Sequence, residues 1–205
     1  MIIVKTTIHG QDSKILLGID IQPTISSLYG SEYLEDYDRR ISCSFGFSID
    51  YIVSERNIIK SGIYYDRKGV KTDVYVGTDS RIYPGSALTV TYDYISVPFL
   101  ETLTTKGKTK FFITVGPSIG YLTSHKWIIK PANRGEEMKI DITEEANKFD
   151  IGFTFGGGIA IYLTEKLHLN IELRDNIGLI DTNKQENYVE KTKICGLLLG
   201  LRIRS

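Results

Sequence analysis

Ser124 and His125 set a hydroxyl beside an imidazole, the pairing from which a hydrolytic site can be built. Such a site needs the base within hydrogen-bond reach of the nucleophile and a third group to orient it. Neighbours on an extended chain point to opposite faces, and nothing in the sequence nominates the third member. Gly107-Lys108-Thr109 ends like a phosphate-binding loop, but Thr102 stands where the motif requires glycine. Gly156-Gly157-Gly158 lies inside an apolar strand-like run rather than at a strand-to-helix turn, so it is no nucleotide fingerprint. His9, His125 and His168 show no metal-ligand spacing, and Cys43 and Cys195 match no metal or redox pattern. The expectation is a protein with no catalytic residue, no cofactor and no metal. A lipid-modifying hydrolase using His125 at an outer rim is the enzymatic rival. Lys plus Arg and Asp plus Glu balance at 25 each, so no overall field draws in nucleic acid.

One set of chemically capable residues does form a pattern. Asp20, Asp50, Lys60, Asp93, Glu172, Arg174 and Arg202 all fall on the polar side of alternating segments. Both signs are present, so these side chains can neutralise one another in a packed polar interior. A structural network is the expectation rather than an ion pathway.

The elements that must position them follow from periodicity. Leu167 to Arg174 alternates apolar and polar residues, and so do Ile41 to Tyr51, Phe149 to Leu163, Ile15 to Gln22 and Cys195 to Ile203. That period of two marks strands with one apolar face. Segments near 57–68, 86–100 and 109–123 alternate less cleanly, and bring the total to eight. In 86–100 the apolar face changes sides, which predicts a bulge near Ser96-Val97-Pro98. Connections near 54–56, 104–107 and 164–166 are short, whereas those over 23–40, 69–86, 124–148 and 181–191 are long and polar. Strict alternation of tight turns and long loops is the habit of outer-membrane barrels.

The polar face separates a membrane barrel from a soluble, lipocalin-like one. It carries Gly18, Gly46, Gly62, Gly116, Gly120, Gly152, Gly156, Gly158, Gly196 and Gly200. Glycine weakens a strand and packs nothing on a wet surface, but suits a narrow interior that must close. The prediction is an all-β, eight-stranded antiparallel up-and-down transmembrane barrel over 14–205, after an N-terminal segment 1–13 read as a signal remnant or tail. Both cysteines are expected free, facing lipid. Tyr51, Phe99, Phe111 and Tyr162 are expected to form one aromatic belt, and Tyr65, Tyr121, Trp127, Phe149 and Tyr188 the other. Met1 to Lys5 lacks the basic start and apolar run of a secretory signal, which is the feature favouring the soluble alternative.

Several stretches, in order, resemble a known family. They are Lys14 to Ile19, Tyr94-Ile95-Ser96-Val97-Pro98-Phe99-Leu100, Phe111 to Leu122 with Gly116-Pro117-Ser118-Ile119-Gly120, Phe149 to Gly152 with Gly156 to Ile159, and Leu169 to Arg174 leading to Gly178-Leu179. Together they look like the PorT-like outer-membrane barrels of Bacteroidetes, also called porin family proteins. The resemblance implies an OmpA/OmpX-type barrel with both termini in the periplasm. It carries no catalytic residues, and PorT-like relatives act in protein secretion to the cell surface. The chain departs from many such barrels in ending Arg202-Ile203-Arg204-Ser205, without a terminal aromatic. The leading expectation is a non-enzymatic protein of the bacterial outer membrane whose long loops bind or adhere outside the cell. Lys126, Trp127, Lys130 and Arg134 are the candidate loop contacts. Outer-membrane lipid and envelope or surface proteins are the expected partners, and a secretion component or a soluble ligand-binding barrel are the alternatives.

Overall fold

The computed structural model of the chain describes residues 14–76, 82–107, 109–131, 136–184 and 189–204. Segment 1–13 with His9, together with Arg134 and Tyr188, lies outside the described residues. Among them the strands are β1 (Ile15–Gly30), β2 (Asp38–Ile52), β3 (Asn57–Val76), β4 (Ile82–Thr104), β5 (Thr109–Lys130), β6 (Met138–Asp141), β7 (Phe149–Tyr162), β8 (Leu167–Gly178) and β9 (Glu190–Arg204). Each of β1 to β5 and β7 to β9 pairs antiparallel with its sequence neighbours, and β9 pairs back onto β1. Eight strands therefore close a ring, with no free edge to expose backbone groups to hydrocarbon. The ninth, β6, was not foreseen; it adds a four-residue ladder to the upper end of β5.

The short turns share a local device. The Ser54 hydroxyl accepts from the Arg56 and Asn57 backbone N–H groups, and the Thr164 hydroxyl does the same for Lys166 and Leu167. Ser and Thr favour such turns because their oxygen replaces a backbone acceptor. Barrels of this construction keep short turns periplasmic and long loops outside, which fixes the external end at Gly30, Val76 and Lys130.

At membrane level the faces are inverted relative to a soluble protein. Phe47 is 70% exposed and Ile113 61%, while Glu172 and Arg202 are fully buried. On β5 the outward apolar series runs from Phe111 to Tyr121, close to the roughly 9–11 residues a tilted strand needs to cross a bilayer. A soluble monomer does not expose apolar area on this scale. That overturns the lipocalin-like alternative. Cys43 and Cys195 are free, on β2 and β9 with β1 between them.

Above the band the polarity reverses. Leu28, Val70, Leu88, Val90 and Tyr92 point inward into an apolar cluster, capped by Leu34 from a 3-10 turn at Glu32–Asp36. This corrects the reading of 86–100. β4 keeps its even-numbered residues inside throughout, from Leu88 to Thr102, and has no bulge near Ser96-Val97-Pro98. The apolar face changes sides because the barrel leaves the bilayer, not because the strand kinks. The register break lies on β5, where Thr123 and Ser124 together oppose Asp93. It switches the inward parity from Leu122 to His125. The strands that carry this extension are long, 20, 23 and 22 residues for β3 to β5, against 12 for β8.

Candidate functional site: the charged interior and the capped external end

Six of the seven predicted interior residues meet inside the barrel. Arg202 is the hub: its guanidinium donates to both Asp20 oxygens at 2.6 and 3.1 Å and to Asp50 at 3.1 Å, and the Tyr64 hydroxyl donates to Asp20 at 2.7 Å. Arg174 grips Glu172 through two 2.9 Å bonds, while Lys60 stands 3.9 Å from the same carboxylate and 4.2 Å from the centre of the Phe112 ring. The inward glycines make the room. A Cβ on Gly18 would lie 2.5 Å from the Arg202 guanidinium, and one on Gly156 would lie 2.7 Å from Glu172. Small residues thus alternate with large charged ones so that both fit one narrow lumen.

Asp93 is the exception. It points outward, where Arg67 binds it through two hydrogen bonds of 2.7 and 2.9 Å at the top of the apolar band. Its neighbours Tyr92 and Tyr94 take the interior, because the barrel there is apolar within. Sequence reasoning missed a third interior cluster. Lys68 donates to Asp150 at 2.9 Å, to Asn176 at 3.2 Å and to Thr192 at 3.1 Å. Asp150 was legible as the inward position before Gly152; Lys68 was not, since its segment alternates poorly. With these, four buried cations (Lys60, Lys68, Arg174, Arg202) face four buried inward anions (Asp20, Asp50, Asp150, Glu172). Below them, at the short-turn end, a cavity of about 410 Å³ opens between Asp50, Lys60, His168 and Arg204. Tyr162 also turns in here, against His168, rather than joining the lower aromatic belt.

The external end is a cup. Its walls are the apolar cluster, and its rim loops are tied to one another. Ser31 and Val189 exchange backbone and hydroxyl bonds, and Asn147 binds the carbonyls of Asp181 and Asn183 at 2.8 and 3.1 Å. A cavity of about 340 Å³ remains beneath this cap. Of the expected loop contacts, Lys126, Trp127 and Lys130 stand on β5 rather than on a loop. Lys126 pairs with Asp141 at 3.9 Å and Lys130 with Glu137 at 3.8 Å on the outer face. Trp127 is turned to the apolar cluster and lines the cavity, so it belongs neither to an outer belt nor to an exposed contact surface.

Ser124 and His125 are divided between faces. Ser124 stands opposite outward Asp93, and His125 is buried inside against Tyr92 with ring centres 3.9 Å apart. No hydroxyl–imidazole dyad forms. Burial lowers the His125 pKa from 6.5 to about 4, against a smaller upward pull from Asp141, so the ring is neutral.

The family model for the outer membrane protein beta-barrel domain matches residues 13–184. No curated protein matches the chain. Among solved structures, Neisserial surface protein A is 13% identical with a TM-score of 0.53, over 94% of this chain and 98% of that one. The outer membrane protein OprG from Pseudomonas aeruginosa is 9% identical with a TM-score of 0.51, over 95% and 98%. At such identities the likeness bears on the fold alone. The family match spans most of the barrel, and the inverted faces require hydrocarbon around it: the chain belongs to the outer membrane protein beta-barrel domain family and resides in the bacterial outer membrane.

Proposed function

We propose that the protein is a closed, non-enzymatic barrel that acts by recognition at its external end, binding or adhering outside the cell. One observation carries this. At membrane level the lumen is occupied by mutually neutralised charges, whereas the strands continue outward into a capped, cross-tied head. Eight-stranded barrels are about wide enough to be filled by side chains, so transport is a poor use of this interior. A rigid scaffold carrying loops is the usual place for recognition. Lys126, Lys130 and Lys139, on the ribbon formed by β5 and β6, are the outward cations such a partner would meet.

Two measurements test this reading. Planar bilayers with the purified barrel should show no stepwise conductance. Cells displaying it should be retained on a glycan or matrix surface, and a variant with all three lysines changed to glutamate should be released. Stepwise conductance, or equal retention of the variant, overturns the reading. Loss of surface export on deleting the gene, without any effect on retention, would place the protein in a secretion machine of the PorT-like kind instead.

A further inference from the structure

The cavity under the cap combines apolar walls with polar groups, one of which has no hydrogen-bond partner among the described residues. Packed interiors keep few spaces larger than a water molecule, whereas clefts that hold small ligands span about 300–1,000 Å³. At about 340 Å³ this one falls in that range, between Leu34 of the cap and Val90 and Trp127 of the wall. His125, only 6% exposed, lines the same space. Neither its Nδ1 nor its Nε2 finds a hydrogen-bond partner among the described residues. Stacking on Tyr92 holds both nitrogens in place, and the Tyr92 hydroxyl is already committed to Glu190.

We infer that this cavity binds a small neutral molecule with an apolar body and one hydroxyl or amide group. A neutral imidazole presents one N–H donor and one acceptor nitrogen, which a hydroxyl or amide matches from its own side. The walls receive the apolar body. Glu145 and Glu190 line the same space, so a fatty acid or other anionic amphiphile is turned away. The inference deepens the recognition role proposed above and rests on it, but its readout is separate. Occupancy is measured on the purified barrel, whereas that role is measured on cells.

The experiment uses the barrel in lipid nanodiscs, with empty nanodiscs as the blank for partitioning. The probes are 2-naphthol, the anion 2-naphthoate and the cation 2-naphthylmethylamine, titrated calorimetrically. Trp127, the chain's single tryptophan, reports entry by its emission. The expected result is saturable binding of 2-naphthol, at least tenfold tighter than that of 2-naphthoate, which Glu145 and Glu190 repel. His125→Phe keeps the stack and removes both nitrogens, and should weaken 2-naphthol tenfold or more. Leu34→Trp fills the space from the exposed cap and should abolish binding. A heat-shifted band on SDS gels establishes that each variant is folded; should His125→Phe fail that check, Leu34→Trp decides the matter. Absence of saturable 2-naphthol binding overturns the inference. So does equal affinity for 2-naphthoate, tighter binding of the 2-naphthylmethylamine cation, or binding unchanged in the folded variants. Tight 2-naphthol binding by a barrel that does not retain cells would uphold the cavity and remove only the adhesive role.

Discussion

Replacing Arg202 by methionine isolates what the interior charges do. The guanidinium makes three bonds to two carboxylates, all at 1% side-chain exposure. Removing one partner from a buried ionic cluster strands the others, at a cost of about 3–5 kcal/mol. The two stranded groups differ. Asp50 borders the 410 Å³ cavity at the short-turn end but is itself only 1% exposed, and without Arg202 it keeps no hydrogen bond among the described residues. Asp20 is 2% exposed and keeps only the Tyr64 hydroxyl. Adding Asp50→Asn to Arg202→Met should therefore recover more stability than adding Asp20→Asn. Either double variant leaves three buried cations against three buried anions and should recover part of the loss, whereas the triple variant, with three against two, should recover less. Urea unfolding of the barrel in vesicles, followed by Trp127 emission and by the heat-shifted band, gives each free energy. The reasoning fails if Arg202→Met costs under about 1 kcal/mol, or if neither double variant is more stable than the single.

Gly200→Ala should destabilise by about 1–3 kcal/mol through overpacking, since its Cβ would collide with Asp20 and lie 2.5 Å from the Arg202 guanidinium. Gly157→Ala, outward with its nearest contact at 3.6 Å, should change the same urea midpoint by less than about 0.5 kcal/mol. Phe47→Arg sets a charge near the middle of the lipid-facing band and should cost about 2–4 kcal/mol, whereas Met138→Arg, exposed on β6 above the membrane, should leave the unfolding curve in place. Because folded His125 titrates near 4 and an unfolded one near 6.5, stability conferred by its neutral form is complete above pH 6.5. It should be lost as pH falls toward 4, by up to about 3 kcal/mol. The wild-type minus His125→Phe difference in unfolding free energy should show that slope, and a flat difference would refute it.

The strands whose two faces meet two different media were legible. β2 and β9 alternate because lipid lies on one side and a crowded polar lumen on the other, and inward Gly18 and Gly200 already marked that lumen as narrow. What failed was the part of the barrel outside the bilayer. There Leu88, Val90 and Tyr92 face inward for the reason Ile95 and Phe99 face outward below, so a single rule about the apolar face breaks within one strand. Asp93 was misplaced by that break. Lys126 and Trp127 were assigned to a loop because the loop was presumed to begin where the membrane ends. The His125 cavity could not be read in advance, because it depends on Thr123 and Ser124 sharing one opposite residue, a register that only the paired strand defines.

The pairing of β1 with β9 bears on how the protein reaches its place. Leu16 stands opposite Arg204, so the ladder that completes the ring joins its first strand to its last. Until β9 has been synthesised, β1 has one edge of unpaired N–H and C=O groups, and hydrocarbon tolerates no such edge. No portion lacking one of the eight ring strands is a stable membrane species. Insertion is therefore a single event for all eight ring strands, whose apolar residues must be shielded until then by something other than themselves.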